Sequence, residues 1–149
     1  MQEYNRILLA ENDDNDLALT LQALSEQSLA NKVVVVRDGT EVLDYLFRRR
    51  KFQNRPGGNP AVVLLDTKMP KVGGLEVLRN MRSNPELKKV PVVMLTSSRE
   101  EKTLVESNEP GAISYVVKPF DLQELLDAVK KLGFSWALLK ESPRDVPVG

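Results

Sequence analysis

The chain has 149 residues, enough for one domain with a single substantial core. Its 21 basic and 21 acidic side chains balance, so no net field draws it toward nucleic acid or anionic lipid. It contains neither cysteine nor histidine, which removes disulfides, thiolate chemistry, most zinc sites and imidazole-based acid–base schemes. In chain order, the first apolar run predicts a strand near 6–10 that runs into Glu11-Asn12. Leu17, Leu21 and Leu24 then recur at helical spacing, with Leu19 and Ala23 widening the stripe. A second strand falls near 32–37, and Asp38-Gly39-Thr40 opens a helix carrying Val42, Leu43, Leu46 and Phe47. Residues 48–60 form a long basic loop (Arg48, Arg49, Arg50, Lys51, Arg55) ending in Pro-Gly-Gly-Asn-Pro turn chemistry. The simplest reading of that loop is a solvated surface segment, since only Phe52 interleaves aromatically and opposite charge elsewhere cancels the total.

A third strand near 61–66 ends on Asp66, and Met69-Pro70 with Gly73-Gly74 follow as a turn that brings backbone close to it. The next helix has Leu75, Leu78 and Met81 inward, and a fourth strand near 91–96 ends on Thr96. Residues 100–107 read as a thinly apolar helix, anchored only by Leu104 and Val105. A fifth strand near 114–117 ends on Lys118-Pro119. Asp121 and Glu124 form a capping-box pattern before Leu122, Leu125, Leu126, Val129, Leu132 and Trp136, which keep helical spacing past an interrupting Gly133. Short continuous Val/Ile/Leu runs alternating with helices indicate buried parallel strands in a doubly wound three-layer sandwich. The N-terminus lacks a signal-peptide pattern and no apolar stretch has the length of a membrane span, so the expectation is a soluble cytoplasmic protein with no membrane or nucleic-acid partner.

In an open parallel sheet, ligands sit beyond the carboxyl ends of the strands. Four of the predicted strand ends carry Glu11-Asn12, Asp66, Thr96 and Lys118. Alone, an Asp ending a strand is more often a helix cap or turn former, Thr96 an ordinary hydroxyl and Lys118 a snorkelling surface residue. Together they place carboxylates, an amide, a hydroxyl and an amine at one end of one sheet. Two carboxylates at 4 Å repel by roughly 4 kcal/mol at an effective dielectric near 20. A divalent cation offsets that, and with hard oxygen donors the expected ion is magnesium or calcium.

Glu11-Asn12, Asp66 with Met69-Pro70 and Gly73-Gly74, Thr96-Ser97, and the run from Tyr115 through Lys118-Pro119-Phe120 resemble the receiver domain of two-component response regulators, a CheY-like family. The resemblance runs from about Arg6 to Leu132. Within the family, the basic loop and the Leu-Gly-Phe-Ser-Trp at 132–136 are most similar to the single-domain regulators served by cyanobacterial phytochromes. The resemblance implies a flavodoxin-like five-stranded parallel sheet in the order 2-1-3-4-5. It implies that Asp66 accepts a phosphoryl group from a phosphohistidine on a sensor histidine kinase of the phytochrome type; this chain, having no histidine, cannot supply the donor itself. Magnesium would be held by Glu11, Asn12, Asp66 and the backbone carbonyl of Lys68. Thr96 and Lys118 would bind the phosphoryl oxygens, Thr96 and Tyr115 would form the switch, and the Lys118-Pro119 bond would be cis. The family has Asp where this chain has Asn12, which implies weaker magnesium affinity. Asp13 could substitute, although a shift of one residue at a strand end points the side chain elsewhere. Lys68 and Ser98 stand where the family tunes the lifetime of the phosphoryl group.

Residues 1–133 are thus expected to form the receiver, and 134–149 an extension that ends in disorder. Too few residues follow the last helix to fold into an output domain. Phe134, Trp136, Leu138 and Leu139 either offer a homodimer surface or fold back onto the core. The protein is expected to be a signalling phosphoacceptor and not an enzyme on other substrates. The alternative is a degenerate receiver that acts as a phosphorylation-independent interaction module because of Asn12. Enzymes on similar sheets fit less well: a haloacid-dehalogenase-type phosphatase needs an acid where Lys68 stands, and a dinucleotide binder needs a glycine-rich turn where 11–16 is acidic and amidic.

Overall fold

Each of the five Val/Ile/Leu runs forms a strand within one residue of its predicted limits. The structure, a computed structural model, describes residues 6–26, 32–55, 57–99, 113–118 and 120–130. In chain order these give β1 (Ile7–Ala10), α1 (Asp14–Ser25), β2 (Val33–Val36), α2 (Gly39–Leu46), β3 (Val62–Asp66), α3 (Gly74–Arg82), β4 (Val92–Thr96), β5 (Ile113–Val117) and α4 (Leu122–Lys130). All pairings are parallel, and the sheet order is β2-β1-β3-β4-β5, the flavodoxin-like arrangement. The expected helix at 100–107, Pro119, and everything from Leu132 onward lie outside the described residues.

Because side chains alternate along a strand, the sheet feeds two cores. Leu8, Ala10, Val63, Leu65 and Met94 pack with Val42, Tyr45 and Leu46 of α2 and Val77, Leu78 and Met81 of α3. On the opposite face Ile7, Leu9, Leu64, Val93 and Leu95 meet Leu24 of α1 and Leu125 and Ala128 of α4. The sandwich therefore has three layers, with both faces of the sheet covered, which is why β1, β3 and β4 read as unbroken apolar runs.

The helix starts follow local rules. Asp13 caps α1 by accepting from Asp16 N–H, Asp38 caps α2 by accepting from Glu41 N–H, and Asp121 and Glu124 exchange backbone bonds at α4 as a capping box. One expected core position fails. Leu19 is 57% exposed, because two residues past Leu17 it lies on the other side of the helix from the buried stripe.

The basic loop lies on the surface, as expected of it, and is also tethered to the body of the protein. A short 3₁₀ turn at Arg50–Phe52 folds it against α2. Phe52 meets Tyr45 edge-on at 5.1 Å, and the Arg55 guanidinium lies 4.1 Å over the Tyr45 ring while its Nε donates to Tyr45 O at 2.7 Å. Arg50 pairs with the buried Asp44 at 2.7 Å and Lys51 with Glu41 at 2.6 Å. The loop is exposed yet tethered, with much of its charge answered from α2.

Two glycines let the turn after β3 reach the sheet end. A Cβ on Gly39 would lie 1.8 Å from Val72 O, and one on Gly74 would lie 2.3 Å from Asp66 O. Gly73 is different: it sits at the N-cap of α3 in extended conformation, and the nearest atom to an added Cβ is 3.7 Å away. Gly39→Ala should therefore cost about 1–3 kcal/mol through a clash with backbone that cannot turn aside. Gly73→Ser should be neutral or stabilise by roughly a few tenths of a kcal/mol by supplying a capping hydroxyl. Urea unfolding midpoints of the two variants check both expectations.

Candidate functional site

Strand register decides which polar residues meet. Ala10 is level with Leu65, Asp66 with Leu95, and Thr96 with Val117. The next residues therefore emerge together at the carboxyl end of the sheet. Backbone bonds continue the ladder there: Glu11 N–H donates to Val36 O at 3.1 Å, Thr67 N–H to Leu95 O at 3.1 Å, and Lys118 N–H to Thr96 O at 2.8 Å. The turn after Asp66 closes when Gly74 N–H donates to Thr67 O at 3.0 Å.

At the centre is the Lys118 ammonium. It lies 3.1 and 3.2 Å from the two Glu11 carboxylate oxygens and 3.3 Å from Asp66 Oδ2. Residues 11, 66 and 118 are thus brought together from 107 positions apart in the chain. Glu11 is completely buried, whereas the Asp66 side chain keeps 7% exposure, so Asp66 is the acid of the pair that solvent reaches. Lys68 N–H donates to Asp66 Oδ1 at 3.1 Å, and Lys68 is exposed. Thr96 is fully buried at the end of β4, and its hydroxyl donates to Val116 O at 3.3 Å, toward β5. Tyr115 is half-buried against the core shared by α2 and α3. Asn12 is exposed. Asp13 does not take its place, because the Asp13 carboxylate is committed to capping α1.

Two further residues belong to this cluster and were not singled out in the sequence. Asp16 Oδ2 is 2.8 Å from Lys118 Nζ, the shortest contact the ammonium makes. Asp16 is one of four acids in six residues, and only the cap at Asp13, which sets the phase of α1, turns this one inward. Arg37, just past β2, donates from Nε to Glu11 O at 2.8 Å and from Nη2 to Asn12 O at 2.8 Å, and it pairs with Asp14. It ties the acidic turn to the neighbouring strand. Nothing in its sequence position marks that role.

Burial pushes the Glu11 carboxyl up to about 7, and the hydrogen bond and negative charge of Asp66 add to this, with Lys118 only partly offsetting them. For Lys118, burial alone would disfavour the ammonium. The Asp16 hydrogen bond and the charges of Asp66 and Glu11 outweigh it and hold the ammonium above its ordinary value. As to metal, no group of three or more Cys, Asp or Glu side chains among the described residues is arranged around an ion. Two close carboxylates flanked by an exposed amide still fit a hard cation that takes one or two carboxylates and keeps waters.

The raised Glu11 value has a sign. Between its ordinary 4.5 and about 7 the folded chain holds a proton that the unfolded chain releases, so stability rises as pH falls through that window. In buffer with a chelator, wild type should gain on the order of 2 kcal/mol relative to Glu11→Gln between pH 8 and pH 5. Urea unfolding at both pH values measures it, and parallel profiles for the two proteins would contradict the burial argument.

The family model of the response regulator receiver domain matches residues 7–130. Over 130 residues the chain is 32% identical to the response regulator Rcp1 of Synechocystis sp., covering 87% of each chain. Among solved structures it superposes on the bacteriophytochrome response regulator AtBRR with a TM-score of 0.86 at 55% identity, covering 93% of this chain and 99% of that one. It superposes on the phosphorylated cyanobacterial phytochrome response regulator RcpA with a TM-score of 0.71 at 32% identity, covering 94% and 99%. Rcp1 has also been solved in an Mn2+-bound form, which this chain matches with a TM-score of 0.67 at 29% identity over 97% and 99% of the two chains. With the sheet order and the convergence of Glu11, Asp66 and Lys118 already described, this chain belongs to the receiver-domain family of two-component response regulators.

Proposed function

We propose that the chain is a phosphoacceptor switch whose accepting group is Asp66 and whose donor is a phosphohistidine on a sensor histidine kinase of the phytochrome type. The observation that carries this reading is the Lys118 ammonium 3.3 Å from Asp66 Oδ2 at a sheet end where Asp66, and not Glu11, keeps contact with solvent. An Asp66 oxygen attacks phosphorus, the P–N bond to the donor imidazole breaks, and the imidazole leaves with its electron pair. Lys118 pairs with the phosphoryl oxygens. The Lys68 N–H on Oδ1 holds the other carboxylate oxygen in place. Such transfer depends mostly on positioning and charge stabilisation, which these groups supply. Magnesium held by the side chains of Glu11, Asn12 and Asp66 and the Lys68 carbonyl would supply further positive charge against the same oxygens.

In this reading Thr96 gives up its bond to Val116 O and turns toward the phosphoryl group, and Tyr115 moves into the space released. The similarity to RcpA and AtBRR, whose names record a phytochrome connection, supports the choice of kinase. No described helix is long and apolar enough to cross a membrane, which fits a cytoplasmic partner of such a kinase. A homodimer through Phe134, Trp136, Leu138 and Leu139 is part of the proposal and rests on their apolar character alone.

Incubation with Mg2+ and acetyl phosphate should add one phosphoryl group to wild type, read by intact mass, and none to Asp66→Asn. A wild type that takes up none would favour the phosphorylation-independent module instead. Asn12→Asp should lower the Mg2+ concentration for half-maximal labelling by roughly tenfold, since it adds a full charge beside the ion. An unchanged Mg2+ titration would count against the assigned ligand set.

A further inference from the structure

The shortest of Lys118's contacts goes to an acid that the proposed chemistry leaves idle. We infer that Asp16 is a positioning residue that holds the Lys118 ammonium back and so restrains phosphorylation of Asp66; this rests on the phosphoacceptor reading above. An ammonium has three hydrogens to give. Here they are spread over Asp16 at 2.8 Å, Glu11 at 3.1 and 3.2 Å, and Asp66 at 3.3 Å. Meeting a phosphoryl oxygen requires redirecting one of them.

Solvent access decides which partner is released. Glu11 has no exposure and would face the cation in the proposed site, and Asp66 is the reacting group, so Asp16 is the partner that solvent can take over. Asp16 is 32% exposed, and a rehydrated Asp16 carboxylate is the least costly outcome. A cavity of about 20 Å³ lined by Asp16, Leu19, Thr20, Lys118 and Phe120 adjoins the contact and has room for the one water needed. The Asp16 backbone is fixed from both sides, its N–H donating to Asp13 Oδ1 at 2.9 Å and its carbonyl accepting from the buried Thr20 hydroxyl at 2.9 Å. The carboxylate is therefore presented to Lys118 from a set turn of helix. Its negative charge also opposes the arriving phosphoryl charge, so both effects act in the same direction.

The test measures the rate of acetyl phosphate labelling of Asp66 at saturating Mg2+, where metal affinity drops out, in wild type, Asp16→Asn and Asp16→Glu. Asp16→Asn should be labelled about three- to tenfold faster, the scale of one partly exposed charge-assisted contact. Asp16→Glu, which keeps the charge, should stay within about twofold of wild type, and thermal midpoints of all three should agree within a few degrees. An Asp16→Asn rate equal to or below wild type overturns the inference while leaving the phosphoacceptor reading intact. Equal acceleration by Asp16→Glu overturns it too, because charge would not be the cause. A wild type that takes up no phosphoryl group removes the phosphoacceptor reading, and this inference with it.

Discussion

Two carboxylates buried at the ends of adjacent strands require a cation, and the end of this sheet is organised around supplying one. Glu11 and Asp66 stand close enough that burial and mutual repulsion lift the Glu11 carboxyl to about 7. The Lys118 ammonium bridges them from β5, and its own burial is tolerated because three acids surround it. None of these groups would be stable there alone, since an unpaired buried charge is among the costliest features a fold can carry. The same surplus of carboxylates suits a hard cation that takes one or two of them and keeps its waters.

The scaffold meets that demand through rigidity. Both faces of β1, β3 and β4 are covered, so the strands cannot slide without moving a whole set of core side chains to the wrong layer. Gly39 and Gly74 let the turn after β3 press onto the sheet end, fixing the backbone that follows Asp66. Arg37 does the equivalent for the acidic turn by gripping the carbonyls of Glu11 and Asn12. The site is thus held by backbone as much as by its own charges.

The basic loop shows how a conspicuous charge run can be spent internally. Arg50 answers a buried Asp44, Lys51 answers Glu41, and Arg55 stacks on Tyr45. Glu41 also accepts from Arg37 N–H at 2.7 Å. A continuous set of contacts therefore links the loop, the start of α2 and the acidic turn of the site. It occupies three of the loop's five cations, Arg50, Lys51 and Arg55, inside the protein.

Strand positions, the helix starts at Asp38 and Asp121 and the identity of Glu11, Asp66, Thr96 and Lys118 as strand-end residues were legible in the sequence, because apolar runs and capping patterns are local signals. The inward stripe of α1 was legible in Leu17, Leu21 and Leu24, and Leu19 falls off it because a step of two residues turns it to the other side of the helix. Tertiary structure alone decided that Asp16 and Arg37 join the site, that Thr96 presently faces β5, and that Asp13 is consumed as a cap. The reason is one of range: which of several acids in a row turns inward depends on the phase of a helix against a strand more than 100 residues away, and no local pattern encodes that phase.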